Sequence, residues 1–117
     1  MGRKGLAHIF DALIYTIHGL YAATVRETAF KLELLMALIL IPLALMSQHT
    51  PMEKALLISS VLFVLVIELI NSAIETTIDR LSMDYHELAR IAKDMGSASV
   101  FISLLMMAIM WIFIWFT

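Results

Sequence analysis

The 117-residue chain has no cysteine, two prolines, four glycines and only 15% charged residues. Without cysteine there is no disulfide framework, no thiolate metal site and no cysteine nucleophile. Charge is scarce in both signs: eight Lys and Arg stand against ten Asp and Glu, a net −2, so no basic patch is available for nucleic acid. Internal repeats, low-complexity linkers, a glycine-rich phosphate loop and a kinase-type signature are also missing. What remains is apolar. Hydrophobic residues make up 62% and mean hydropathy is +0.92, whereas soluble chains average about 45–50% apolar and about 25% charged. One small core cannot hide that surface, so lipid is the main solvent. At about 20 residues per crossing, the length allows a single domain of two or three spanning helices.

Residues 1–26 are too polar to span. Leu6, Phe10, Leu13, Ile17, Leu20 and Thr24 recur at helical spacing on one side, with His8, Asp11, Tyr15, His18 and Arg26 on the other. This pattern predicts an amphipathic helix lying at the headgroup boundary. A cleaved signal peptide competes with it, but Arg3 and Lys4 lead into His8, Asp11 and His18 rather than an unbroken apolar stretch.

Charges then delimit three apolar blocks. Between Glu33 and Glu53 nothing is charged, which predicts a first span over 29–47, kinked at Pro42. A polar turn follows, and Pro51 suits the first turn of a second span over 52–78. Residues 79–94 are mixed and charged, a loop, and the uncharged 95–117 makes the third span. Arg3, Lys4, Arg26 and Lys31 precede the first span and Arg80, Arg90 and Lys93 lie between the second and third, against Lys54 alone in the first turn. The positive-inside rule therefore places the N-terminus and the 79–94 loop in the cytoplasm and the C-terminus outside. Trp111, Phe113, Trp115 and Phe116 read as an outer aromatic belt. Gly96, Ser97 and Ser99 read as close-packing residues and His49 as a turn residue.

The informative run is Glu68-Leu-Ile-Asn71-Ser72-Ala-Ile-Glu75, followed by Asp79. At 3.6 residues per turn its polar members share one narrow stripe. Each ionisable group inside a span costs about 2.5–3.5 kcal/mol even on the lenient insertion scale, so such groups mark cavities or partners. Asp79 is close enough to the boundary to snorkel, but about 15 Å of helix separates Glu68 from the charged loop. Glu27, Lys31 and Glu33 at the mouth of the first span, and Asp84 to Glu87 with Lys93 and Asp94, would lie on the same side. Converging carboxylates repel unless protonated or bridged by a cation, and Mg²⁺ favours one or two carboxylates together with nucleotide phosphates. These are parts that phosphoryl transfer to a hydroxyl requires. From the residues alone, the reading is a polar, cation-binding site in a three-span protein.

Glu68-Leu-Ile-Asn71-Ser72-Ala-Ile-Glu75, Asp79-Arg80, Tyr85-His86-Glu87-Leu88 and Ala92-Lys93-Asp94-Met95-Gly96-Ser97-Ala98 closely resemble the prokaryotic integral-membrane diacylglycerol kinase family. The resemblance implies an all-α membrane protein, with an N-terminal surface helix and three transmembrane helices per chain. It implies a homotrimeric enzyme of the bacterial inner membrane, its C-terminus periplasmic, that transfers the γ-phosphate of MgATP to diacylglycerol in active sites shared between subunits. By position, Glu68 matches the general base, with Asn71 beside it, and Glu27 and Glu75 match the carboxylates that hold Mg²⁺. His8, Tyr15, Asp84, Tyr85, His86, Lys93 and Asp94 fall on nucleotide positions, and Thr16, Glu33, Ser97 and Trp111 on lipid-substrate positions. On this reading Glu68 and Glu27 come from different chains of one site. His8 departs from the pattern, standing where the family's best-known member has arginine, and free histidine is mostly uncharged at neutral pH. Thr16 replaces serine, Asp84 replaces glutamate, and His18 and Tyr21 replace basic residues. Two alternatives stay open: an undecaprenol kinase with the same chemistry, and a small oligomeric proton or cation transporter, although no charge sits in the outer half of any span.

Overall fold

The computed structural model describes residues 5–81 and 87–117. Four helices account for nearly all of them: α1 (Leu6–Arg26), α2 (Thr28–Leu45), α3 (Pro51–Leu81) and α4 (Glu87–Trp115). No strand occurs among the described residues. The last three helices are each long and apolar enough to cross a membrane.

Local chemistry sets the helix ends. Glu27 is extended, with φ −110° and ψ 111°, and is at once the C-cap of α1 and the N-cap of α2. A single residue therefore turns one helix into the next. At the start of α3, the Thr50 amide donates to Glu53 Oε1 at 2.9 Å and the Glu53 amide donates to Thr50 Oγ1 at 3.2 Å. This reciprocal capping box satisfies two otherwise orphaned donors, with Pro51 at the first helical position. Lys54 Nζ donates to the Leu45 carbonyl at the end of α2, at 3.0 Å. Pro42 stands inside the last turn of α2, where it supplies no N–H to the turn before it.

The segment 79–94, anticipated as a loop, is mostly helical: α3 runs on to Leu81 and α4 begins at Glu87. Charge marks where the hydrocarbon ends, not where the helix ends. Arg90 meets Glu87 at 3.8 Å and Asp94 at 2.9 Å, one turn away on either side, and Lys93 reaches across to Asp79 at 2.6 Å. Such pairs support helix beyond the membrane boundary.

α3 is the central helix, packed along both α2 and α4, while α1 leans on α2. Its buried residues are Leu57, Ser60, Val61, Val64, Glu68, Asn71 and Ser72. The alternating three- and four-residue steps make one continuous seam. α2 supplies Phe30, Ala37 and Ala44, one residue every second turn, and α4 supplies Gly96 and Ser103, small residues that permit close approach. The seam is leucine and valine toward the α2–α3 turn and becomes glutamate, asparagine and serine toward the other end.

The helices form a slab measuring 49 × 44 × 23 Å, with a radius of gyration of 17.4 Å. A closed domain of this length would have a radius near 13 Å. Accordingly Leu38, Phe101, Ile102 and Ile112 face outward. At the end near the α2–α3 turn, His49 is more than a turn residue: Nε2 lies 3.1 Å from the Ile114 carbonyl and Nδ1 3.1 Å from Ser47 Oγ, with the ring 4.6 Å from that of Trp115.

Candidate active site

The inner end of the α3 seam gathers the polar residues. Glu68 is 4% exposed, and Asn71 and Ser72 are 7% each. Ser72 Oγ lies 3.4 Å from Glu68 Oε2, one turn back on α3, and 3.4 Å from Glu27 Oε1 at the α1–α2 junction. A hydroxyl has one proton, so it can donate to only one of these carboxylates at a time. Glu27 occupies an N-cap position, yet its side chain makes no cap hydrogen bond. The carboxylate that would ordinarily turn back onto the first amides of α2 reaches Ser72 instead.

Asn71, Glu33 and Glu75 lie close enough to the Glu68 carboxylate to act on it electrostatically. Glu33 Oε1 and Asn71 Oδ1 are buried without a hydrogen-bond partner among the described residues. Asn71 Oδ1 packs directly on Gly96 of α4: a Cβ built there would stand 2.0 Å from that oxygen. Gly96 therefore lets the Asn71 amide lie between α3 and α4 beside Glu68.

A groove of about 560 Å³ opens next to this cluster, between the second half of α1 and the inner part of α3. Thr16, Gly19, Ala23 and Arg26 line one wall, Ser72 and Thr76 the other, and Glu27 closes the end.

The expected site residues divide into two sets. Glu27, Glu33, Glu68 and Asn71 come together, Glu75 stands one turn further along the half-buried face, and Thr16 lines the groove with its hydroxyl bonded to the Ala12 carbonyl at 2.9 Å. His8 and Tyr15 are exposed and do not line the groove. His8 is about 12 Å of helix before Thr16. Lys93 is held by Asp79, and its charge acts on Glu75 as well, while Asp94 is paired with Arg90. Ser97 is exposed on α4, away from the Gly96 seam. Asp84, Tyr85 and His86 lie outside the described residues.

Two further residues have distinctive neighbours. Glu27 and Glu68 each lie 3.4 Å from Ser72 Oγ within one chain, because the one-residue turn after Arg26 drops Glu27 beside α3; their assignment to different chains of an assembled site stands as the resemblance implies it. Trp111, expected on a lipid-substrate position and in an outer belt, is half-buried, and its Nε1 donates to the Leu57 carbonyl and to Ser60 Oγ, both at 3.2 Å. A buried N–H must find an acceptor, and the serine in the apolar part of α3 supplies one. Ser72 and Gly96 take part in this cluster although neither was among the expected site residues. Ser72 was on the polar stripe, and its adjacency to Glu68 was the available signal.

The donor set fits a divalent cation carrying phosphates. Mg²⁺ takes one or two carboxylates and completes its octahedron with water and phosphate oxygens. Glu27 lies beside Ser72 at the groove end and Glu75 about one turn further along α3, two carboxylates apart from Glu68, and among the described residues no three His, Asp or Glu side chains converge into an all-protein cage.

Comparison with known proteins decides the family. Residues 14–115 match the family described as prokaryotic diacylglycerol kinase. The chain belongs to that family. It is 49% identical over 107 residues to the diacylglycerol kinase of Haemophilus influenzae, covering 92% of this chain and 91% of that one. It is 42% identical over 110 residues to the diacylglycerol kinase of Pseudomonas aeruginosa, covering 94% and 89%. Against the Escherichia coli K12 diacylglycerol kinase the identity is 41% over 112 residues, covering 95% and 92%. Membership in this kinase family makes the polar end of the α3 seam the place to look for phosphoryl transfer.

Proposed function

We propose that the chain is a lipid kinase that transfers the γ-phosphate of MgATP to the free hydroxyl of diacylglycerol, giving phosphatidic acid and ADP. The observation that carries this reading is Glu68: a carboxylate 4% exposed, at the polar end of an otherwise apolar seam, in a chain of the diacylglycerol kinase family. Seventeen residues separate it from Pro51, about 26 Å of helix. In a hydrocarbon layer about 30 Å thick, that depth is close to where a glycerol hydroxyl sits.

In the reaction, Glu68 accepts the hydroxyl proton as the lipid oxygen bonds to the γ-phosphorus. The bond from that phosphorus to the β,γ-bridging oxygen breaks, and its electrons leave with ADP. Asn71 and Ser72 orient the Glu68 carboxylate through their side chains. Glu27 and Glu75 are the residues that would hold Mg²⁺, which supplies charge neutralisation on the phosphates when bound. The exposed pair Lys93–Asp79 is of the kind that exchanges partners readily, leaving Lys93 available to the nucleotide.

The chain lies in the bacterial inner membrane with its N-terminus and the 79–94 segment cytoplasmic, a reading supported by the lysine and arginine asymmetry. α1 rests at the headgroup level, where its exposed Leu6, Ile9, Phe10, Leu13 and Ile17 meet acyl chains. The open slab is completed as a homotrimer. In that assembly the active sites are shared between subunits, Glu68 and Glu27 of one site coming from different chains, and His8 and Tyr15, exposed on α1 and away from the groove, are further candidates for such sharing.

If Glu27 and Glu75 share one cation, Glu27→Gln and Glu75→Gln should each raise the Mg²⁺ needed for half-maximal rate, and the double variant should fall well short of the product of the two losses. Titrating Mg²⁺ at saturating ATP for the four proteins measures this. Multiplying losses would mean separate roles. The function itself is tested with a lipid panel. Purified protein in mixed micelles receives MgATP with diacylglycerol, monoacylglycerol, ceramide or undecaprenol, and phosphorylated lipid is quantified. Diacylglycerol should be the preferred acceptor. A preference for undecaprenol would transfer the same chemistry to a polyprenol, and no product from any lipid would refute the kinase reading.

A further inference from the structure

The groove beside Glu27 contains one cation. Arg26 is the only lysine or arginine on α1 and lines the groove immediately before Glu27. It is exposed, and among the described residues it makes no ion pair or hydrogen bond. Its neighbour Glu27 points at Ser72 instead. Gly19, on the same wall, is exposed, and a Cβ there would meet no atom within 4 Å. Its remaining polar lining is hydroxyl, from Thr16, Ser72, Thr76 and Thr77.

A free guanidinium, several hydroxyls and a carboxylate one residue away are the complement of a polyphosphate carrying a divalent cation. Arginine presents a planar fork of donors that matches two phosphate oxygens at once, and the adjacent carboxylate suits the metal rather than the phosphate. We propose that Arg26 is a phosphate-binding residue of this kinase, contacting the phosphate chain of the nucleotide in the groove between α1 and α3. The assignment rests on the kinase reading above and adds to it a residue outside the motifs that carry the family resemblance. Losing one bidentate, charge-assisted contact corresponds to about 10- to 100-fold in affinity.

Two other roles compete. A cation in the last turn of α1 is favoured by the helix dipole, which is a structural role. A guanidinium at headgroup depth can also bind the phosphate of an anionic lipid. The test uses the full-length protein, Arg26→Gln and Arg26→Lys, in micelles with and without phosphatidylglycerol. We expect Arg26→Gln to raise the MgATP KM about 10- to 100-fold, with the diacylglycerol KM unchanged. Arg26→Lys should recover part of the loss, because charge returns without the fork. An activity-independent reading comes from thermal unfolding: MgADP should raise the midpoint of the wild type and shift Arg26→Gln far less, while the two midpoints without nucleotide agree. A variant whose unliganded midpoint falls but whose MgADP shift is intact would make Arg26 structural and overturn the proposal. A changed response to phosphatidylglycerol with an unchanged MgATP KM would assign it to lipid and equally overturn it. Failure of the wild type itself to phosphorylate diacylglycerol would count against the kinase reading rather than against Arg26, whose nucleotide contact the MgADP shift still reads.

Discussion

Replacing Glu68 by glutamine is expected to lower kcat about 10²- to 10⁴-fold and to leave the MgATP KM within about twofold of wild type. The side chain sits in the α3 seam beside Asn71 and Ser72, and glutamine keeps its size and can still bond to both. On the proposed reading, what glutamine loses is the ability to take a proton at the moment the lipid oxygen attacks phosphorus. The interaction exists only in the transition state, so its removal appears in kcat and not in nucleotide affinity. Stopped-flow or coupled assays at saturating lipid, with MgATP varied, separate the two parameters. Near-normal turnover would exclude Glu68 as the base, and a comparable rise in KM would reassign it to metal or nucleotide binding.

Gly96→Ala is expected to cost about 10²-fold in activity although glycine offers no side chain for chemistry. The added methyl would stand 2.0 Å from Asn71 Oδ1, far inside contact distance, so the amide must swing away or α4 must back off. Either movement disturbs the group that orients Glu68, and a displacement near 1 Å from a remote change can cost about 10²-fold. Some stability is lost as well, about 1–3 kcal/mol for overpacking a filled interface. Asn71→Ala separates the causes. It removes the obstructing oxygen, so Gly96→Ala made in that background should add little further loss, giving a strongly coupled double-mutant cycle. Activity measurements on the four proteins give the coupling directly. Independent, multiplying effects would mean that Gly96 acts through general helix packing and not through Asn71.

Much of the architecture was legible because lipid enforces simple rules. Three apolar blocks had to be helices, and the polar residues at 68, 71 and 72 had to share a face; the structure buries all three in one seam. Helix ends were less legible. The sequence marks the hydrocarbon boundary by charge, while helices continue past it on ion pairs such as Arg90–Asp94. Contacts between helices were legible only as tendencies. Gly96 announced a close approach, but not that Asn71 would fill it, since that depends on the register of α3 against α4. Glu27 gave no hint of Ser72: the contact depends on a one-residue turn with no proline or glycine to mark it. The hydrogen bond of Trp111 to α3 was signalled only by Ser60, a hydroxyl amid leucines and valines.

The position of Glu68 along α3 also bears on how a lipid reaches it. Drawing an acyl chain of about 16 carbons into water would cost on the order of 12 kcal/mol at about 0.8 kcal/mol per methylene. A base about 26 Å along the helix from its outer end removes that obstacle, because the glycerol can arrive with both chains still in oil. On the proposed reading, one reactant comes from solution and is counted per litre. The other diffuses in two dimensions and is counted per molecule of surrounding lipid. Diluting the substrate with inert phospholipid at constant total volume should therefore slow the enzyme, and adding buffer that holds MgATP at the same saturating concentration should not change the turnover per enzyme.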